Sequence, residues 1–148
     1  RIPGGDTLWL LATGSGLSPF ASIIRSSTVW DAWKDIVLVE SVRKIEEAAL
    51  ARELVLSLPA DRRPKLIVTT TREEDPARQG DLTGRIPDLL KSGALEKAAG
   101  REITPEKSRL MLCGNPDFIA DARATLKARG IVSPRFGKPG QLVVENFW

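Results

Sequence analysis

Leu8-Trp9-Leu10-Leu11-Ala12-Thr13-Gly14-Ser15-Gly16-Leu17-Ser18-Pro19-Phe20 reads as three things in succession: an apolar strand, a glycine turn and the start of a helix. Leu8 to Ala12 is apolar without alternation, the pattern of a strand covered on both faces. Gly14 and Gly16 give the freedom in φ that a sharp turn needs. Pro19 suits the first helical turn, where its missing N–H has no intrahelical partner to lose. A strand that hands its turn to a helix N-terminus gathers free N–H groups and the positive end of the helix dipole, a geometry that holds phosphate. Alone the signal is weak. A dinucleotide fingerprint has its third glycine where this chain has Pro19, and the same residues also make an ordinary turn.

Further along, Cys113-Gly114-Asn115-Pro116 repeats the context of strand, turn and helix. Between the two clusters, apolar runs alternate with helical patterns. Strands are expected at Thr7 to Ala12, Asp35 to Val39, Lys65 to Thr70, Arg109 to Cys113 and Gln141 to Val144. Helices are expected at Pro19 to Arg25, Lys44 to Leu58, Arg85 to Lys91 with an extension from Ala94 to Ala98, and Pro116 to Arg129, which Gly130 stops. This alternation predicts an α/β fold, a doubly wound five-stranded parallel sheet flanked by helices. No repeat, linker or low-complexity tract interrupts it.

Composition narrows the chemistry. The 148 residues fit one domain, and 42% apolar content fills a core. A net charge of +3 is too mild to imply nucleic acid, and no stretch reaches the ~20 apolar residues of a membrane span. The single cysteine excludes an internal disulfide and fits the reducing cytoplasm. Histidine and tyrosine are absent, which removes the commonest general base and metal ligand and argues against a self-contained hydrolase or a metal site.

In a sheet of this kind ligands bind beyond the carboxyl ends of the strands. Thr13, Gly14, Ser15 and Gly16 follow the first strand and Cys113, Gly114 and Asn115 the fourth; Arg43 follows the second and Arg72 and Arg85 the third. Small residues would admit a pyrophosphate and a flat ring to the backbone, and guanidinium forks match a phosphate monoester further along the ligand. Glu40 points the other way. An acid ending the second strand usually bonds a ribose 2′-hydroxyl and favours NAD. Each residue also has a plain reading: a buried cysteine as core, loop arginines as solvated charge, an aromatic terminus as an anchor.

The chain resembles the bacterial flavin-dependent ferredoxin (flavodoxin)–NADP reductases in their C-terminal NADP-binding domain. The resemblance rests on Leu11 to Phe20, Val37-Leu38-Val39 followed by Arg43, Thr71-Arg72-Glu73, Leu82 to Pro87, Met111 to Pro116 and the terminal Glu145-Asn146-Phe147-Trp148. It covers nearly the whole chain in the family's order and spacing, and Pro19 belongs to its pattern.

That resemblance implies NADP(H) and FAD as cofactors and ferredoxin or flavodoxin as partner, with hydride exchange between NADPH and FAD. Thr13, Gly14 and Gly16, with Ser15 in the same loop and Asn115 after Gly114, would border the pyrophosphate and nicotinamide. Cys113 and Gly114 would line the nicotinamide pocket. Arg43, Arg72 and Arg85, with Arg78 as a weaker substitute, would hold the 2′-phosphate. Phe147 would stack toward the isoalloxazine and Trp148 toward the adenine, and Glu145 would supply a proton or orient the nicotinamide. The family's FAD-binding barrel, with its Arg-x-Tyr-Ser-type motif, has no counterpart in these residues and is expected upstream, so this chain alone should bind nucleotide without turnover. Two alternatives stand: the nucleotide domain of a related flavin reductase serving an oxygenase or haem module, and a non-catalytic NADPH-sensing module.

Overall fold

The run that opens the sequence becomes β1 (Gly5–Thr13), the centre of a six-stranded sheet. The structure, a computed structural model, describes residues 5–14 and 17–146. All strands are parallel: β1 is flanked by β2 (Trp33–Val42) and β5 (Ser108–Gly114), with β3 (Lys65–Thr70) and β4 (Leu82–Thr83) beyond β2, and β6 (Leu142–Asn146) beyond β5.

Because side chains alternate along a strand, the apolar run of β1 feeds two cores at once. Trp9 and Leu11 join a cluster on the face covered by α4 (Ile86–Ser92), α5 (Ala94–Ala99) and α6 (Pro116–Lys127). Leu8, Leu10 and Ala12 join the other face, under α1 (Leu17–Arg25) and α3 (Ala49–Ser57), with Phe20, Ile24 and Leu54. Burial on both faces explains why the strand carries no polar alternation.

The structure corrects the expected sheet and helices in three places. A sixth strand, β4, pairs Leu82 with Thr69 and Thr83 with Thr70; two residues are too few to show a pattern. A further helix, α2 (Ser27–Ala32), follows α1, with the Trp30 indole N–H donating to Ile24 O at 2.8 Å. The stretch expected as one helix from Lys44 to Leu58 begins as a 3-10 turn (Ile45–Ala48) and turns α-helical only at Ala49. There the Glu47 carboxylate accepts the Lys44 backbone N–H at 3.0 Å. Among the described residues, no helix is long and apolar enough to cross a membrane.

Candidate functional site

Strand order reverses beside β1, and the crevice at such a switch point opens beyond the carboxyl ends of the strands. A cleft of about 530 Å³ lies there, within the roughly 300–1,000 Å³ usual for cofactor sites. Its lining follows the sheet: Asn115 after β5, Thr13 and Gly14 at β1, Ser41 and Arg43 at β2, Thr71 and Arg72 at β3. Arg85, ahead of α4, joins the wall with Ile86, Pro87 and Phe118. One part of the cleft is therefore uncharged and close to backbone, and another carries three arginines with Glu47 among them. A hollow of about 550 Å³ between α4, α5 and α6 lies off the strand ends: none of the residues that follow a strand lines it, and its Arg129 is paired with Glu96.

Backbone approach sets the uncharged part. Gly14 adopts φ +54°, in the left-handed region that favours glycine. A Cβ on Gly114 would stand 2.2 Å from Thr13 Oγ1 and 2.9 Å from the Phe118 ring, so a side chain here would displace the Thr13 hydroxyl and the Phe118 ring. Asn115 caps α6, its side-chain oxygen accepting the Phe118 N–H at 2.8 Å.

The cations differ in how far they are committed. Arg43 lies 3.9 Å from Glu47 and Arg85 3.2 Å from Asp121, both as half-exposed pairs, and Arg78 pairs with Glu46. Among the described residues Arg72 has no ion-pair partner. The loop that carries it is tied to the turn after β2: Thr71 N–H donates to Val42 O at 2.9 Å and Arg72 N–H to Arg43 O at 3.1 Å. The sequence reading missed Pro87 and Phe118 as walls, which follow no strand directly.

Cys113 is brought to a different place from the arginines. It is wholly buried in the α1 and α3 core, pairs in register with Ala12 and with Glu145, and does not line the cleft. Gly114, the next residue, reaches the strand end beside Thr13. Of Glu145 the structure describes the backbone in β6. Ser15, Gly16, Phe147 and Trp148 lie outside the described residues.

Glu40 does not end its strand. β2 continues to Val42, and Glu40 extends the row of Ile36 and Leu38 toward the α1 and α3 face, 2% exposed and absent from the cleft lining. Burial first, and then the negative charge of Glu47, raises its pKa to about 8. At neutral pH it is mostly uncharged, and its carboxyl is not part of the cleft wall.

The chain matches the profile of the oxidoreductase NAD-binding domain family over residues 10–124. It is 38% identical to ferredoxin–NADP reductase A of Sorangium cellulosum, across 96% of this chain and 52% of that protein. It is 35% identical to the flavodoxin/ferredoxin–NADP reductase of Escherichia coli, across the whole chain and 59% of that protein. A crystal structure of a ferredoxin NADP+ reductase from Neisseria gonorrhoeae with bound FAD and NADP superposes with a TM-score of 0.87 at 34% identity, over 100% of this chain and 58% of that one. The chain thus spans little more than half the length of these relatives.

Proposed function

The chain belongs to the oxidoreductase NAD-binding domain family, and we propose that it is the NADP(H)-binding half of a flavin-dependent ferredoxin or flavodoxin–NADP reductase. The observation that carries this reading is the cleft's division of labour: Thr13 and Gly14 at the switch point, with the side-chain-free Gly114 packed behind Thr13, and Arg43 and Arg72 on adjacent strand ends. The first group suits a pyrophosphate and a flat ring held close to backbone. The second offers fork-shaped donors to a phosphate monoester, which NADP carries and NAD lacks.

In this proposal the residues of the chain bind and orient. Arg72 is the leading phosphate ligand because no carboxylate among the described residues pairs with it, and Arg43 and Arg85 exchange Glu47 and Asp121 for the phosphate on binding. The loop holding Ser15 and Gly16 borders the pyrophosphate, with Asn115 facing it from α6. Cys113 and Glu145, at the ends of neighbouring strands, back the nicotinamide, and Phe147 and Trp148 stack on the flavin. Nicotinamide and flavin supply the hydride chemistry when bound. A flavin-binding domain completes the enzyme, in keeping with relatives that are nearly twice as long, and ferredoxin or flavodoxin is the electron partner in the cytoplasm.

The test is binding of 2′-phospho-AMP against AMP by calorimetry. The expected result is at least a tenfold preference for 2′-phospho-AMP, with Arg72→Ala removing about tenfold of it, the weight of one charge-assisted contact. Equal affinities in the unaltered chain, or no loss in Arg72→Ala, refute the NADP reading.

A further inference from the structure

Lys44 and Glu73 form a brace directly behind the two arginines. The β2–β3 register ends with Val42 beside Thr70, and the same ladder runs on past the strands through the Thr71 and Arg72 N–H groups. One step further, Lys44 Nζ donates to Arg72 O at 2.7 Å and stands 3.8 Å from Glu73 Oε1. Ile45 N–H reaches the other Glu73 oxygen at 3.5 Å. The Glu73 side chain is only 5% exposed, so its charge sits in poorly solvated surroundings one residue from Arg72.

We infer that Lys44 is a specificity-determining positioning residue: it neutralises Glu73 and holds the Arg72 backbone, so that Arg43 and Arg72 distinguish a 2′-phosphate from a 2′-hydroxyl. The inference rests on the NADP reading above. A phosphate monoester carries close to two negative charges at neutral pH, and an unneutralised carboxylate beside its arginine would repel it. A ribose hydroxyl would feel no such penalty. Lys44 does not line the cleft, so it acts through Glu73 and Arg72 and not by touching the nucleotide. In the ligand-free chain Glu46 pairs with Arg78 and Glu47 with Arg43, whereas Glu73, the least exposed of the three, has a lysine as its partner.

The experiment is calorimetric titration of the 148-residue chain with 2′-phospho-AMP and with AMP. Lys44→Met should weaken 2′-phospho-AMP about fivefold to tenfold and leave AMP unchanged. Lys44→Arg should keep the preference, and the double variant Lys44→Met, Glu73→Gln should restore it. An unchanged preference in Lys44→Met, equal losses for both ligands, or no restoration in the double variant overturns the inference. Where Lys44→Met loses its folded circular dichroism spectrum, Glu73→Gln alone decides: the preference is expected to hold or rise, and a fall overturns the inference. Equal affinities in the unaltered chain sink the NADP reading and the brace together, whereas a preference that Lys44→Met leaves intact sinks the brace alone.

Discussion

Glu96, beneath the α5 and α6 face, accepts from the Arg129 guanidinium at 2.6 and 2.8 Å and from the Ile103 N–H at 2.8 Å, whereas Glu40, near the carboxyl end of β2, leaves its Oε2 buried without a partner. Burial works to raise both carboxyls. For Glu96 the Arg129 hydrogen bond, the Ile103 amide and the Arg129 charge outweigh it and hold the group below its ordinary value; for Glu40 nothing opposes it and Glu47 adds to it. Glu96 on α5 is thus fully partnered and Glu40 on β2 is not, and the Trp9 indole N–H and Arg109 Nε are likewise buried without a partner among the described residues. Unsatisfied polar groups are expensive in a core and tend to persist where a site imposes its own demands.

The contrast can be broken at its satisfied pole first. Arg129→Ala would strand Glu96 and free the Ile103 carbonyl that Arg129 also holds at 2.9 Å, and should cost about 3 kcal/mol at pH 7. Calorimetry would read this as a melting temperature lowered by about 10 °C, while nucleotide binding stays unchanged. The pair's contribution is present above the unfolded carboxyl value and fades as pH falls through the lower folded one, so wild type and variant should converge in acid.

At the other pole the sign reverses. The Glu40 pKa is raised from 4.5 to about 8 in the folded state, so stability is fully retained below 4.5 and is lost as pH climbs through 8. Glu40→Gln removes that dependence and should stabilise the chain by about 2 kcal/mol at pH 7, with a larger gain at pH 9. Urea denaturation from pH 5 to 9 checks it; a gain that does not grow with pH would show that Glu40 is stabilised in some other way. The smallest expected effect is Glu47→Gln, which keeps an acceptor for the Lys44 N–H but removes the charge acting on Glu40. It should recover about 0.5 kcal/mol at pH 8, measured in the same titration.

Much of this architecture was legible in the chain itself. Long apolar runs such as Leu8 to Ala12 declare a doubly covered strand, and Pro116 with Gly130 brackets α6 by the geometry of each residue. Leu82-Thr83 was not legible because a two-residue strand exists only through its pairing with β3. The 3-10 turn at Ile45–Ala48 was hidden inside good helix formers, since tertiary contacts override propensity. At the cleft, position after a strand singled out Thr13, Gly14, Asn115, Arg43, Arg72 and Arg85, which the structure brings into one lining, and also Cys113 and Gly114, which it does not. It could not foresee which arginines would be shared with carboxylates, because Arg85 and Asp121 meet only through the packing of α4 on α6. Glu40 misled for a related reason: an acid near a strand end reads as solvent-facing, and only the continuation of β2 to Val42 turns it inward.

The position of β1 also governs how the molecule can be assembled. During synthesis β1, β2 and β3 leave the ribosome in order and can zip together, but the other edge of β1 must wait for Ser108 to Cys113 before Thr7 to Ala12 are paired on that side. Until then a strand buried on both faces presents an open hydrogen-bonding edge, the feature that invites mispairing between nascent chains. The slow event is therefore the long-range closure of β5 onto β1, and a nascent chain stalled before that point is the form most in need of a chaperone.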